Sequence, residues 1–155
     1  MSGMVSLRAV AETDLLVFFE HQRDTESAAM AAFPSREREA HIAHWTKIMA
    51  DRSNTLRTIL FEGHVAGNIV SWDAADGREV GYWVGREFWG RGVATRALEL
   101  LLEELKARPL YAHVARHNVA SRRVLEKCGF DVVGAAGVLL EPGADPVAEL
   151  ILCLD

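Results

Sequence analysis

The segment Phe88-Trp89-Gly90-Arg91-Gly92-Val93-Ala94-Thr95 has the composition of an anion cradle. Two glycines two positions apart leave backbone amides uncovered by a Cβ and free to take positive φ. If a helix starts just beyond them, its first N–H groups lack intrahelical acceptors and the positive end of its dipole faces the same point. The ligand that such a site attracts is a phosphate or pyrophosphate. A P-loop would close on Gly-Lys-Ser/Thr, whereas this loop continues Gly92-Val93-Ala94. A dinucleotide fingerprint would want a small residue where Thr95 stands and a ribose-binding acid in the next strand. The stretch Leu110–Arg116 holds no carboxylate. A pyrophosphate cradle without ribose readout is what remains.

The elements around the loop suit that reading. Arg78–Val84 has the pattern of a strand, and Val93–Lys106 that of a helix with Ala97, Leu98, Leu101, Leu102 and Leu105 on one face. Pro109 follows as a stop signal, and Leu110–Arg116 reads as the next strand, which gives a unit of βαβ length. Asn118 is placed to cap a further helix ending near Lys127, with Gly129 just past it. Upstream, Met4–Val10 alternates like a strand, and Thr13 or Asp14 can cap a helix bearing Leu15, Phe18 and Phe19. A second helix after Pro34-Ser35 carries Ile42, Trp45 and Met49. Thr55–Glu62, His64–Asp73 and Arg78–Val84 form an expected meander through turns at Glu62-Gly63 and Ala74–Gly77. Phe130–Ala135 and Ala148–Leu154 close the chain as strands. The expected fold is one mixed α/β domain over residues 1–155, with seven strands and about four helices.

Composition sets the outer limits. With 50% hydrophobic and 25% charged residues, the chain can build a core and is not a mainly disordered sequence. Its apolar runs are short, Met1-Ser2-Gly3 does not open a signal peptide, and its two cysteines form no disulfide framework; a soluble, cytoplasmic protein is expected. The net charge of −5 speaks against general nucleic-acid binding. Charge is uneven, however: Arg108, Arg116, Arg122, Arg123 and Lys127 face a single acid, Glu126, within Arg108–Lys127. A basic zone on an acidic chain suits a small polyanion, and it also suits a plain solvated helix face.

Glu79-Val80-Gly81-Tyr82-Trp83-Val84, the Trp89–Ala94 loop and the segment from Asn118 through Ser121 and Arg123 to Phe130 together resemble the GNAT N-acetyltransferases. The opening Leu7-Arg8-x-Val10 and Asp14 narrow the resemblance to the branch of ribosomal-protein N-terminal acetyltransferases. It implies a mostly antiparallel sheet whose strands splay at the cofactor site. It also implies acetyl-CoA as cosubstrate, with Val84 pairing to pantetheine and Trp89, Gly90, Arg91, Gly92, Val93, Ala94 and Thr95 lining the pyrophosphate. Asn118 and Ser121 then fall beside the thiol and the pantetheine arm. Many members carry a Tyr seven residues after that Asn as the acid for the leaving thiolate; Leu125 stands there, so Ser121, or a water held by Asn118, inherits the role.

Other candidates have two readings each. Glu79 is either a relay for the proton of the substrate amine or an outward-facing strand carboxylate. His117 is a base candidate or a surface histidine, and the pairs His41/His44 and His113/His117 lack the surrounding ligands of a metal site. Cys128 fits a small buried hydrophobe. Trp45, Trp83 and Phe88 suit either a substrate groove or the core. The expected activity is transfer of an acetyl group to a primary amine by direct attack on the thioester, with no metal. The alternative is an acyl-CoA-binding module of the same fold without turnover. The acceptor (a small amine or a protein N-terminus) and the oligomeric state, a homodimer included, stay open.

Overall fold

A computed structural model describes residues 4–31, 36–75, 77–138 and 147–155. The chain order is β1 (Val5–Ala9), α1 (Asp14–Arg23), α2 (Thr25–Ala31), α3 (Arg38–Ala50), β2 (Thr55–Phe61), β3 (His64–Ala74) and β4 (Gly77–Val84). A short 3-10 turn at Arg86–Phe88 leads to α4 (Val93–Glu104), β5 (Leu110–Ala115), α5 (Val119–Lys127), β6 (Asp131–Val138) and β7 (Val147–Leu154). All seven strands join one sheet in the order β1-β2-β3-β4-β5-β7-β6. Every pairing is antiparallel except β4 with β5. Among the described residues no helix is long and apolar enough to cross a membrane.

The β2–β3 hairpin closes on Glu62 (φ 51°) and Gly63 (φ 82°), a pair of positive φ values that matches the twist of the flanking strands. Of the other expected turns, Asp76, Pro34-Ser35 and the connection 139–146 lie outside the described residues.

The sheet separates two apolar layers. On one face α4 and α5 cover Ile59, Ile69, Val80, Leu110, Ala112 and Leu152, with Ala97, Leu98, Leu101 and Leu125 fully buried. Each Leu, Ile or Val side chain among them contributes about 1.5–3 kcal/mol by leaving water. The other face carries α1 and α3, where Leu15, Phe18 and Trp45 form a second cluster with Val65 and Val70. Trp45 is buried and packs in a tilted arrangement against Phe18, ring centroids 4.9 Å apart, so it is a core residue and not a groove wall.

One expectation at the N-terminal end needs correction. Neither Thr13 nor Asp14 caps α1: Thr13 makes no capping bond and Asp14 is the first helical residue. The Asp14 carboxylate turns back instead, taking bonds from Arg8, the Ala11 amide and the Thr58 hydroxyl. The described residues hold five α-helices, in keeping with the about four expected and one beyond those that the sequence pattern marks. The extra one is α2, seven residues of mostly small side chains with no apolar stripe to announce it. Its place is set by tertiary contacts, not by its own periodicity.

Candidate active site

Strands β4 and β5 run parallel but pair only at Arg78 with Leu110 and Glu79 with Tyr111. Beyond Glu79 they diverge, because β5 follows β7 in continuous register from Leu110 to Ala115 while β4 stays with β3 as far as Val84. The edge of β4 from Val80 onward therefore presents backbone groups with no strand opposite. A cavity of about 480 Å³ occupies the divergence. Its walls come from the end of β4, the following loop, the start of α4 and the inner side of α5.

Gly90 and Gly92 adopt φ of 76° and 73°, and Gly92 is the residue from which α4 starts. A Cβ built on either glycine meets nothing within 4 Å, so the space above them is open to a ligand. Val93, Ala94 and Thr95 follow as the first turn of α4, whose N–H groups have no intrahelical acceptor. Gly90, Gly92, Val93, Ala94 and Thr95 all line the cavity, with Val84 and Trp89 beside them. Such a cradle fits a pyrophosphate on physical grounds: donors without partners, a helix dipole and no side chain in the way. Two loop side chains do other work. The Trp89 indole donates to the Val84 carbonyl at 2.9 Å, tying the loop to the end of β4. Arg91 is absent from the cavity wall; its guanidinium lies 5.8 Å from the Phe61 ring centroid.

The opposite wall is α5. The Asn118 Oδ1 accepts from the Ser121 amide at 3.3 Å, as its position before the helix predicts, and both residues line the cavity. Leu125 is fully buried and faces the core, so no acid is available at that position. Ser121 instead meets a hydroxyl from the sheet: Tyr82 Oη lies 2.6 Å from Ser121 Oγ. Arg123 and Lys127, which the sequence places in a basic stretch and in the Asn118–Phe130 segment without a role of their own, line the same cavity one and two turns along α5. Arg122 points elsewhere, to Glu126 at 3.5 Å.

Glu79 is not brought to Asn118 and Ser121. It stands where β4 and β5 still pair, and its carboxylate lies 3.4 Å from His113 Nε2. The other ring nitrogen of His113 is 2.8 Å from Glu149. By strand alternation and register, Glu79 shares a sheet face with Trp72, Gly81 and Trp83, the face on which α1 and α3 pack. Of these, Trp83 also borders the cavity.

Helix α2 roofs the opening. Arg86, after β4, pairs with Glu26 at 2.5 Å and Asp24 at 3.3 Å, while His117, after β5, is hydrogen-bonded to the Ala29 carbonyl at 2.8 Å. His117 is thus a fastener of α2. Met30 reaches into the cavity from the same helix. His41 binds the Leu15 carbonyl inside the protein, and Cys128 is a half-buried thiol pushed up in pKa, chiefly by burial. Among the described residues no three His, Cys, Asp or Glu side chains gather as a metal site.

Comparison with known proteins agrees with this architecture. Residues 5–131 match the family described as the acetyltransferase (GNAT) domain. The chain is 33% identical over 106 residues to YdaF of Bacillus subtilis (strain 168), named "Putative ribosomal N-acetyltransferase"; the match spans 64% of this chain and 58% of that protein. RimJ of Mycobacterium smegmatis, solved with CoA-disulfide, superposes with a TM-score of 0.79 at 22% identity, over 98% of this chain and 82% of the other. A GNAT-family acetyltransferase of Bacillus anthracis gives 0.80 at 19% identity, over 99% and 96% of the two chains. At these identities the superpositions establish the fold, and together with the match over residues 5–131 they make the chain a member of the GNAT acetyltransferase family.

Proposed function

We propose that this protein is an acetyl-CoA-dependent N-acetyltransferase that moves an acetyl group to a primary amine in one step. The observation that carries the reading is the cavity itself, with an anion cradle at Gly90–Thr95 at one end and the Asn118/Ser121 pair in the wall across from it. Acetyl-CoA has the matching chemistry: a pyrophosphate, an amide-bearing arm that can pair with an open strand edge, and a thioester. The amine nitrogen attacks the thioester carbonyl carbon, the N–C bond forms, and the C–S bond breaks with its electron pair leaving on sulfur. Main-chain N–H groups on the free edge of β4 stabilise the carbonyl oxygen as it gains charge. Before attack the ammonium gives one proton through water to Glu79, which shares its sheet face with Trp83 and lies 3.4 Å from His113; the second proton of the attacking nitrogen passes to solvent water as the amide forms. Positioning of the two substrates supplies the rest of the acceleration.

The relationship to a protein named as a ribosomal N-acetyltransferase makes a protein N-terminus the first acceptor class to try, ahead of small amines. The decisive assay is release of CoA thiol from acetyl-CoA with N-terminal peptides and small amines, with the acetylated product identified by mass. Acetyl-CoA binding without thiol release across the panel would favour the non-catalytic alternative, and no binding at all would remove both. In the same assay Glu79→Gln should depress kcat and leave acetyl-CoA affinity unchanged.

Arg123 and Lys127 should act as long-range attractors of the polyanion. Replacing either with Ala is expected to weaken acetyl-CoA binding about three- to tenfold at low salt, and less as ionic strength rises. Calorimetric titrations at two salt concentrations check this, and a loss that ignores salt would contradict it.

A further inference from the structure

We infer that Tyr82 is a positioning residue for the leaving thiolate, turning the Ser121 hydroxyl so that its hydrogen points into the cavity. This rests on the proposed acetyl transfer and concerns the step in which sulfur departs. Tyr82 projects from β4 and Ser121 from α5, on opposite sides of the cavity wall, and both line it. The Tyr82 oxygen has two neighbours on Ser121, Oγ at 2.6 Å and the main-chain carbonyl at 3.1 Å.

Proton bookkeeping selects between the ways these groups can bond. Tyr82 has one hydrogen to donate and Ser121 has one. The Ser121 carbonyl lies in the first turn of α5, where the amide four residues on serves it as an intrahelical donor. That carbonyl keeps a second lone pair, so with the cavity empty both contacts are used when Tyr82 donates to it and the Ser121 hydroxyl donates to Tyr82. As negative charge gathers on sulfur in the cavity, the stronger arrangement has Tyr82 donating to the nearer Oγ, which frees the Ser121 hydrogen for the charged acceptor. With its oxygen accepting from Tyr82, the Ser121 hydroxyl has its own hydrogen left over. The neighbouring Asn118 oxygen is engaged by the Ser121 amide, and the cavity is the remaining direction. A donor aimed there meets negative charge as it develops on sulfur. Burial holds the Tyr82 phenol protonated, with its pKa pushed up to about 12, so this donor persists across the working pH range. No proton needs to be transferred: the thiolate leaves with its electron pair, stabilised by a hydrogen bond, and takes a proton from water afterwards.

Leu125 gives this arrangement its purpose. The family resemblance puts the acid for the thiolate at that position; here it is buried apolar core with no hydroxyl to offer, and the paired hydroxyls of Tyr82 and Ser121 stand in the cavity wall instead.

Two measurements test the inference, one of which needs no acceptor. A hydrogen bond from Ser121 should lower the pKa of the CoA thiol when CoA is bound, read from thiolate absorbance. Arg123 and Lys127 also favour the thiolate, so each variant is compared with the wild type, not with free CoA. In Tyr82→Phe and in Ser121→Ala the bound thiol should titrate higher than in the wild type, by similar amounts. Under turnover, Tyr82→Phe should lower kcat about five- to thirtyfold with the KM for acetyl-CoA within about twofold. Added to Ser121→Ala, it should cost less than about twofold more, because it acts through Ser121. A thiol titration unchanged by Tyr82→Phe, or kcat losses that multiply in the double variant, would overturn the inference. Failure to acetylate any amine would count against the proposed function only, since the titration still decides this point; failure to bind CoA would overturn both. Melting temperatures of the variants show whether the fold was kept.

Discussion

Gly92→Val is expected to lower acetyl-CoA affinity by at least about a hundredfold, near 2.7 kcal/mol of binding free energy. Gly92 has φ of 73° and begins α4, and the direction in which a Cβ would project is empty of protein atoms. A valine there would place its methyls over the first N–H groups of the helix, where the pyrophosphate is expected. It would also strain the backbone by roughly 1–2 kcal/mol, since branched residues resist that φ. Gly63→Val separates the two effects. Gly63, in the β2–β3 turn, has φ of 82° and equally empty surroundings, and it does not line the cavity. Both variants should melt a few degrees lower, while only Gly92→Val should lose the ligand. Wild-type affinity in a calorimetric titration of Gly92→Val would remove the loop from the binding site.

The second large effect concerns stability. Asp14 is almost fully buried and accepts from Arg8 Nη1 at 2.6 Å, Arg8 Nη2 at 2.9 Å, the Ala11 amide at 2.9 Å and the Thr58 hydroxyl at 2.7 Å. Asp14→Ala leaves the fully buried Thr58 hydroxyl without that partner, and Arg8 without its fork. A loss of about 3 kcal/mol is expected, or roughly 6–12 °C in Tm for a chain of this size. The hydrogen bonds from Arg8, outweighing the opposing effect of burial, hold the carboxyl down at about 2 against an ordinary 3.8. A depressed folded pKa means that the unfolded chain takes up the proton first. The contribution is therefore complete above about pH 4–5 and drains away as pH falls towards 2, on the order of 2 kcal/mol in all. The gap in urea midpoint between wild type and Asp14→Ala should narrow steadily from pH 5 to pH 2. A constant gap would show that the carboxylate charge is not what matters.

Much of the site was legible because its parts are contiguous in sequence. The apolar face Ala97, Leu98 and Leu101 announces α4, Gly92 announces its start, and Asn118 the start of α5; together they place the cradle and the polar wall at the ends of one βαβ unit. What stayed hidden depends on contacts between distant elements. Strand alternation puts Tyr82 on the α5 side of the sheet, but only the packed structure brings its hydroxyl to Ser121, 39 residues away. Alternation likewise gives the face of Glu79 without revealing His113 or, beyond it, Glu149. Helix α2 has no apolar periodicity, and its anchors, Arg86 and His117, lie far along the chain. Nothing in the local sequence shows the Trp89 indole returning to the Val84 carbonyl.

The short pairing of β4 with β5 has a mechanical side. Strands β1 to β4 form one leaf of the sheet and β5, β7 and β6 another, and the two leaves share direct backbone register at Arg78 and Glu79 alone. They meet there like covers on a spine, with helices bridging the gap on either side. A ligand lodged between β4 and α5 and bonding to each would act as a beam across the open end, supplying cohesion that the missing strand pairing does not. Occupancy and resistance to unfolding are then one linked quantity: a ligand at a hundred times its Kd adds about 2.7 kcal/mol to the folded state. A ligand held there would be, for as long as it stays bound, a structural member of the divided sheet.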